Sequence, residues 1–150
     1  MAPTRRSPLP IPDVTVDDAF WAPRRETART KTIPHQEHQL RTGGQFKALG
    51  FALDEYVGID PAHPEGEPHI FWESDVAKWI EAASYALARE HDADLAAAVD
   101  EAIALLAGAQ QDDGYLNVYF TVVKPGERFT DLRDAHELYC AGHLIEAGVA

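Results

Sequence analysis

A chain of 150 residues suits one domain or part of one and leaves little room for two. Its 45% hydrophobic and 25% charged residues are globular in composition, and a net charge of −12 argues against binding duplex nucleic acid or an anionic membrane, both of which need clustered positive charge. The one cysteine, Cys140, excludes an internal disulfide and a multi-thiolate metal site built by this chain alone, and no apolar run approaches the roughly 20 residues that span a bilayer.

Residues 1–23 are proline-rich (Pro3, Pro8, Pro10, Pro12, Pro23) and read as an extended strap on a core, with Ile11, Val14 and Val16 as its apolar side and Phe20-Trp21 as its anchor. Arg5 and Arg6 are followed by prolines where a signal peptide would carry its apolar run, so the expected compartment is the cytoplasm. The spacing predicts a helix over 24–41, broken by Gly43-Gly44, and a further helix over about 45–56. Residues 57–73 read as a loop.

Ser74 is placed to cap a helix over 75–90, with Asp75 at its positive end, and Val76, Trp79, Ile80, Ala83 and Leu87 form one apolar stripe. Lys78 and Glu81 stand at pairing distance in sequence. Asp92 is placed to cap a helix over 93–109, in which Leu95, Val99, Ile103 and Leu106 repeat at helical spacing. So short a connection predicts an antiparallel helical hairpin. Gly114 suits a turn, and Tyr115 to Val122 is a short apolar, β-prone run. Asp134-x-x-Glu137 resembles a capping box for a last helix over 134–150, which reaches Ala150 without a C-cap. That ending leads us to expect a piece of a larger protein. Helix pairs joined by aromatic and polar loops suit an α/α toroid, although a plain helical bundle has the same periodicity.

The densest group of reactive residues is His136-Glu137-Leu138-Tyr139-Cys140-Ala141-Gly142-His143. On a helix His136 and His143 share one face, with Cys140 between them. A rise of 1.5 Å per residue separates the two histidines by roughly 10 Å, too far to share an ion at bonds of roughly 2.0–2.3 Å. Beside a His–Cys–His metal site, to which that distance is the main objection, stand two readings: a buried cysteine with a core histidine, or two imidazoles facing a cleft and bonding substrate hydroxyls while Gly142 admits a close neighbour. Phe71-Trp72-Glu73-Ser74-Asp75 is a second candidate, because rings stack on sugar C–H faces and carboxylates accept from hydroxyls. Capping alone also explains Ser74 and Asp75. Asp112-Asp113-Gly114-Tyr115 is a turn that in a toroid would line the cavity. The spacing of His35 and His38 would need a third ligand to hold a metal.

Four segments together carry a family resemblance: Asp18-Ala19-Phe20-Trp21-Ala22-Pro23-Arg24, Glu73-Ser74-Asp75-Val76-Ala77-Lys78-Trp79-Ile80-Glu81-Ala82, Gln110-Gln111-Asp112-Asp113-Gly114-Tyr115-Leu116-Asn117, and His136 to Ala147. In this order they resemble glycoside hydrolase family 127, the β-L-arabinofuranosidases, along nearly the whole chain. The resemblance implies a mainly α fold, the N-terminal portion of an (α/α)6 barrel over 24–150. It also implies retaining hydrolysis of terminal β-L-arabinofuranosides in arabinose-containing oligosaccharides or glycosides.

In that family a zinc-bound cysteine thiolate is the nucleophile and a glutamate is the acid/base. Zinc is expected in the full-length enzyme with ligands beyond residue 150, so this chain would supply neither catalytic group nor metal ligands and would be inactive alone. The substrate-binding positions carried over are His143, then His136, Asp75 and Tyr115. A homodimer of the full-length protein is one partner expectation; nucleic acid and membrane are not. The residues leave two rivals open. One is another (α/α)6 sugar enzyme of the unsaturated glucuronyl hydrolase or epimerase type. The other is a non-catalytic helical binding module complete in itself.

Overall fold

The computed structural model describes residue 7, residues 9–50 and residues 68–150. The described residues fold into helices α1 (Trp21–Thr27), α2 (Ile33–Thr42), α3 (Gln45–Gly50), α4 (Trp72–Leu87), α5 (Ala93–Ala109) and α6 (Glu137–Val149), with no strand among them. Most of the loop expected at 57–73, and the second half of the helix expected at 45–56, lie outside the described residues.

Helices α1 and α2 form one continuous rod, because Ala28–Thr32 between them is a π-helical turn. Pro34 explains it: proline has no N–H, and in α register its ring would meet the carbonyl of Thr30. Widening the preceding turn relieves both problems without breaking the rod. The rod begins at Trp21 rather than 24, since Asp18 accepts from the Phe20 and Trp21 amides at 2.8 and 2.7 Å and turns the chain into it. Ahead of it Ile11–Asp13 is a 3-10 turn, and Val14 is extended. Arg89 holds this segment through the Ile11 carbonyl at 2.7 Å, and Arg25 through that of Val16 at 3.3 Å.

Gly43 closes α2, its amide donating to the Gln39 carbonyl at 2.7 Å, and Gly44 takes φ +97°, where only glycine is unstrained. A side-chain carbon at Gly44 would also sit 3.4 Å from the Trp72 ring. That contact puts the end of α2 beside the start of α4, and the Arg29–Glu90 pair (3.4 Å) puts the start of the rod beside the end of α4. The two therefore run antiparallel. Helix α5 returns along α4 after a short turn. Helix α6 runs parallel to α4, since Phe71 meets His136 at both N-termini (5.6 Å between rings) and Lys78 meets Tyr139 one turn further on.

Ile33, Leu40, Phe46, Leu49, Val76, Trp79, Ile80, Ala83, Leu95, Val99 and Ala102 make the core between these helices. The α4 stripe is as the spacing predicts. On α5 the buried face is Leu95, Val99, Ala102 and Ala109, while Ile103 is about half exposed. Helical spacing alone admits i+3 or i+4 at that point, and packing takes the small alanine.

The capping expectations divide. Asp92 caps α5, accepting from the amides of Asp94 and Leu95 at 3.1 Å. Ser74 does not cap α4: the helix starts earlier, at Trp72, and the Ser74 hydroxyl donates to the Phe71 carbonyl at 2.7 Å. Asp134 does not cap α6 either, since that helix starts at Glu137 with His136 as its N-cap residue and no side-chain cap. Nor is Tyr115–Val122 a strand. Residues Tyr119–Val123 close a π turn, because Asn117 bonds Phe120 N (3.0 Å) and Thr121 N donates to the Asn117 carbonyl (3.1 Å). β-propensity reports fitness for a pleated surface, and none is offered here.

Candidate functional site

The parallel N-termini of α4 and α6 bring five rings into one row. His69 stacks on Phe71 (4.2 Å between centroids), Phe71 meets His136 (5.6 Å), His136 meets Tyr139 (5.7 Å) and Tyr139 meets His143 (4.6 Å). His136 and His143 thus share one side, as the sequence spacing suggests, and flank the half-exposed Tyr139 phenol. The geometry differs in one respect, because His136 is not inside the helix. It caps α6 in the left-handed region (φ 59°) and its Nδ1 donates to the Asp134 carbonyl at 2.6 Å. That bond fixes the tautomer of the neutral ring and leaves Nε2 as a hydrogen-bond acceptor.

His143 is one-quarter exposed, with Nδ1 2.9 Å from a Glu146 carboxylate oxygen but not aligned for a hydrogen bond. Among the described residues, no atom lies within 4 Å of where a side-chain carbon at Gly142 would sit. On the α4 side Asp75 pairs with Lys78 at 3.4 Å, and Lys78 also lies over the Tyr139 ring at 5.1 Å. Lys78 therefore pairs with Asp75, not with Glu81. Asp75 and Lys78 continue into a cleft of about 580 Å³ between α2, α3 and α4, lined also by Gln36, Gln39 and Gln45. Carboxamides donate and accept, as hydroxyl-rich ligands require.

Tyr115 is placed apart from that row. Its hydroxyl donates to Glu137, its ring meets Phe129 edge-on (5.4 Å) and the Arg128 guanidinium covers it at 4.0 Å. Burial, then the Glu137 carboxylate, holds the phenol well above its ordinary pKa. Tyr139, Lys78 and Glu137 were not among the substrate-binding positions expected from the sequence. The signal for Tyr139 was present, since it stands at i+3 from His136 and i−4 from His143.

Under the row lies a buried polar knot. Glu73 is 1% exposed, and one of its oxygens accepts from Val118 N while the other has no partner among the described residues. Asn117 donates to the Ile70 carbonyl at 3.1 Å, and the enclosed Cys140 sulfur is 3.6 Å from the same carbonyl. Burial pushes the Cys140 thiol up to about 12, so without a metal it stays protonated near neutral pH. Among the described residues no three His, Cys, Asp or Glu side chains converge to hold a metal ion.

Burial likewise pushes the Glu73 carboxyl up to about 7 from an ordinary 4.5, against the opposing pull of the Val118 amide. The folded chain holds that proton more tightly than the unfolded one. The stabilisation it gives is complete below the unfolded value and is lost as pH rises through the folded one. Melting temperature should fall between about pH 5 and 7, and Glu73→Gln should flatten that fall. An unchanged slope in the variant would place the titration elsewhere.

Residues 13–150 match the model of the β-L-arabinofuranosidase GH127 catalytic domain. A non-reducing end β-L-arabinofuranosidase of Bifidobacterium longum subsp. longum is 33% identical over 165 residues, covering 92% of this chain and 24% of the relative. A GH127 β-L-arabinofuranosidase of Geobacillus stearothermophilus T6 superposes with a TM-score of 0.80 at 40% identity, over 90% of this chain and 21% of that one. A second GH127 β-arabinofuranosidase structure gives 0.77 at 30% identity, over 95% and 23%. The chain spans about a quarter of the length of these relatives. It belongs to the GH127 β-L-arabinofuranosidase catalytic-domain family.

Proposed function

We propose that the protein carrying this chain is a retaining glycoside hydrolase that releases terminal L-arabinofuranose from β-linked oligosaccharides or glycosides, and that residues 1–150 form the N-terminal part of an (α/α)6 barrel. The observation that carries the reading is the row at the N-termini of α4 and α6, where His136 and His143 flank Tyr139 beside the Asp75–Lys78 pair. A ring face can take sugar C–H bonds while imidazole and carboxylate bond the hydroxyls around it. His143, His136 and Asp75 are the sugar contacts in this reading. Tyr115, with its hydroxyl already bound, is a weaker one.

Retention needs two groups flanking one glycosidic bond. Glu73, Glu137 and Cys140 of this chain are enclosed, and by the family resemblance the acid/base glutamate and a zinc-held cysteine thiolate come from outside residues 1–150. Zinc, when bound there, would lower the pKa of its thiolate ligand. The 150-residue chain is accordingly inactive alone.

The test is release of p-nitrophenol from its β-L-arabinofuranoside, with the full-length protein and residues 1–150 assayed side by side. Hydrolysis by the first and none by the second is the expected result. A full-length protein that leaves this glycoside intact but consumes an unsaturated uronide or epimerises a free sugar belongs to a different reaction class. Activity of the short chain would overturn the assignment of the catalytic groups.

A further inference from the structure

Glu137 is 4% exposed, yet it stands beside His136 at the rim of the proposed site. Both of its oxygens are occupied: Oε1 accepts from the Tyr115 hydroxyl, and Oε2 accepts from the Phe129 amide at 2.8 Å. Phe129 has φ 58° and His136 has φ 59°, and they are the only described non-glycine residues with positive φ. Side chains larger than glycine adopt this region only when their surroundings impose it. One carboxylate therefore grips the first strained residue directly and is one peptide unit from the second.

Between them the loop is braced internally. Asp131 accepts from Arg133 N at 3.2 Å and Asp134 N at 3.0 Å, and Asp134 in turn offers its carbonyl to His136 Nδ1. From the other side Asp113 accepts from Tyr115 N (3.0 Å) and binds Arg128 (3.1 Å), whose guanidinium covers the Tyr115 ring.

We infer that Glu137 is a positioning residue for the sugar site: by binding Tyr115 and Phe129 together it locks the loop from Phe129 to His136 and so sets the His136 imidazole between Phe71 and Tyr139. This rests on the proposed function, in which that imidazole meets a sugar hydroxyl. The carboxylate suits this because two donors converge on it, and only with both of its oxygens accepting do Tyr115 and Phe129 keep their present bonds. A carboxamide has one acceptor oxygen and would turn its NH2 toward the second donor. The group does not itself reach the row of rings, so it contributes to binding and not to bond cleavage.

The experiment uses the full-length protein with Glu137→Gln, Tyr115→Phe and the double variant. Kinetic constants on the p-nitrophenyl β-L-arabinofuranoside and melting temperatures are measured together. Glu137→Gln should raise KM about tenfold while kcat stays within about threefold, the pattern of lost binding common to ground and transition states. Tyr115→Phe should move KM the same way by less, and the double variant should show less than the product of the two effects, because both cut one link. The His136 ring resonances of the unliganded protein, assigned by loss in His136→Gln, should shift in both single variants.

A lowered melting temperature with unchanged constants and unshifted His136 resonances would make Glu137 a structural residue only. A fall in kcat at constant KM would make it part of the chemistry, which also overturns the inference. Should Glu137→Gln not fold, Tyr115→Phe decides on the same readouts. If the wild type leaves the glycoside intact, the functional reading fails, and the His136 resonances still judge the lock.

Discussion

His143→Ala in the full-length enzyme should lower kcat/KM by about 100-fold, through both constants, while the melting temperature stays within about 2 °C of wild type. The expectation follows from where the imidazole sits. It packs edge-on against Tyr139 at 4.6 Å, remains one-quarter exposed, and has no aligned hydrogen bond although Glu146 is 2.9 Å away. A histidine whose role was to satisfy the core would be enclosed and bonded on at least one nitrogen. The His143 Nδ1 is enclosed beside Glu146, and the exposed part of the ring at the rim of a polar row is where a ligand would meet it. If it bonds hydroxyls that reorganise as the sugar flattens toward an oxocarbenium-like state, its loss is felt more in the transition state than in the ground state. Measuring both constants and the melting temperature on one preparation separates the cases. A core role would cost about 1–3 kcal/mol of stability and leave the kinetics of the folded enzyme alone.

The largest stability effect should come from Trp79→Ala, at about 3–5 kcal/mol. Trp79 is 4% exposed and joins three elements: it lies on α4, its indole N–H donates to the Ile33 carbonyl of α2 at 3.1 Å, and its ring meets Phe46 of α3 edge-on at 5.8 Å. Truncation removes the ring, the bond and the edge contact at once and leaves a void that helices fixed by their other neighbours cannot close. Against a typical total of about 5–15 kcal/mol, such a loss takes a large share of the fold's margin. Trp79→Phe separates the parts. It keeps most of the apolar volume and removes the indole donor, so it should cost less, about 1–2 kcal/mol. Denaturant melts of both variants check the ranking, and an alanine variant no less stable than the phenylalanine variant would refute it.

The helices legible in the sequence were those whose signal is local. The α4 stripe from Val76 to Ala83 needs only helical periodicity, and Asp92 needs only its own short side chain and the amides of Asp94 and Leu95. The hairpin of α4 and α5 follows from a connection too short to do anything else. Gly43-Gly44 marks a break wherever the fold places it. The errors share a different character. Ser74 and Asp134 look like caps because the residue type is right, but each helix begins where tertiary contacts fix it, at Trp72 against Gly44 and at Glu137 against Tyr115 and Phe129. Tyr115–Val122 has the composition of a strand and, with no partner strand among the described residues, its last part closes as a π turn.

The same division holds for the site. The sequence by itself put His136 and His143 on one side of a helix, though with Cys140 rather than Tyr139 between them. It determined the family as well, through four segments in order. Only the tertiary structure decided which groups those rings face. The parallel approach of α4 brings Phe71, Asp75 and Lys78 to the row, a pairing between residues more than sixty positions apart that no periodicity encodes. Only the tertiary structure, too, separated four carboxylates that look alike in sequence. Asp75 is paired at the rim, Glu73 is enclosed and pushed up to about 7, Glu137 is enclosed and gripped by two donors, and Glu146 lies beside His143 at the surface. A carboxylate's chemistry depends on desolvation and on the donors around it, and both are set by what packs against it from distant parts of the chain.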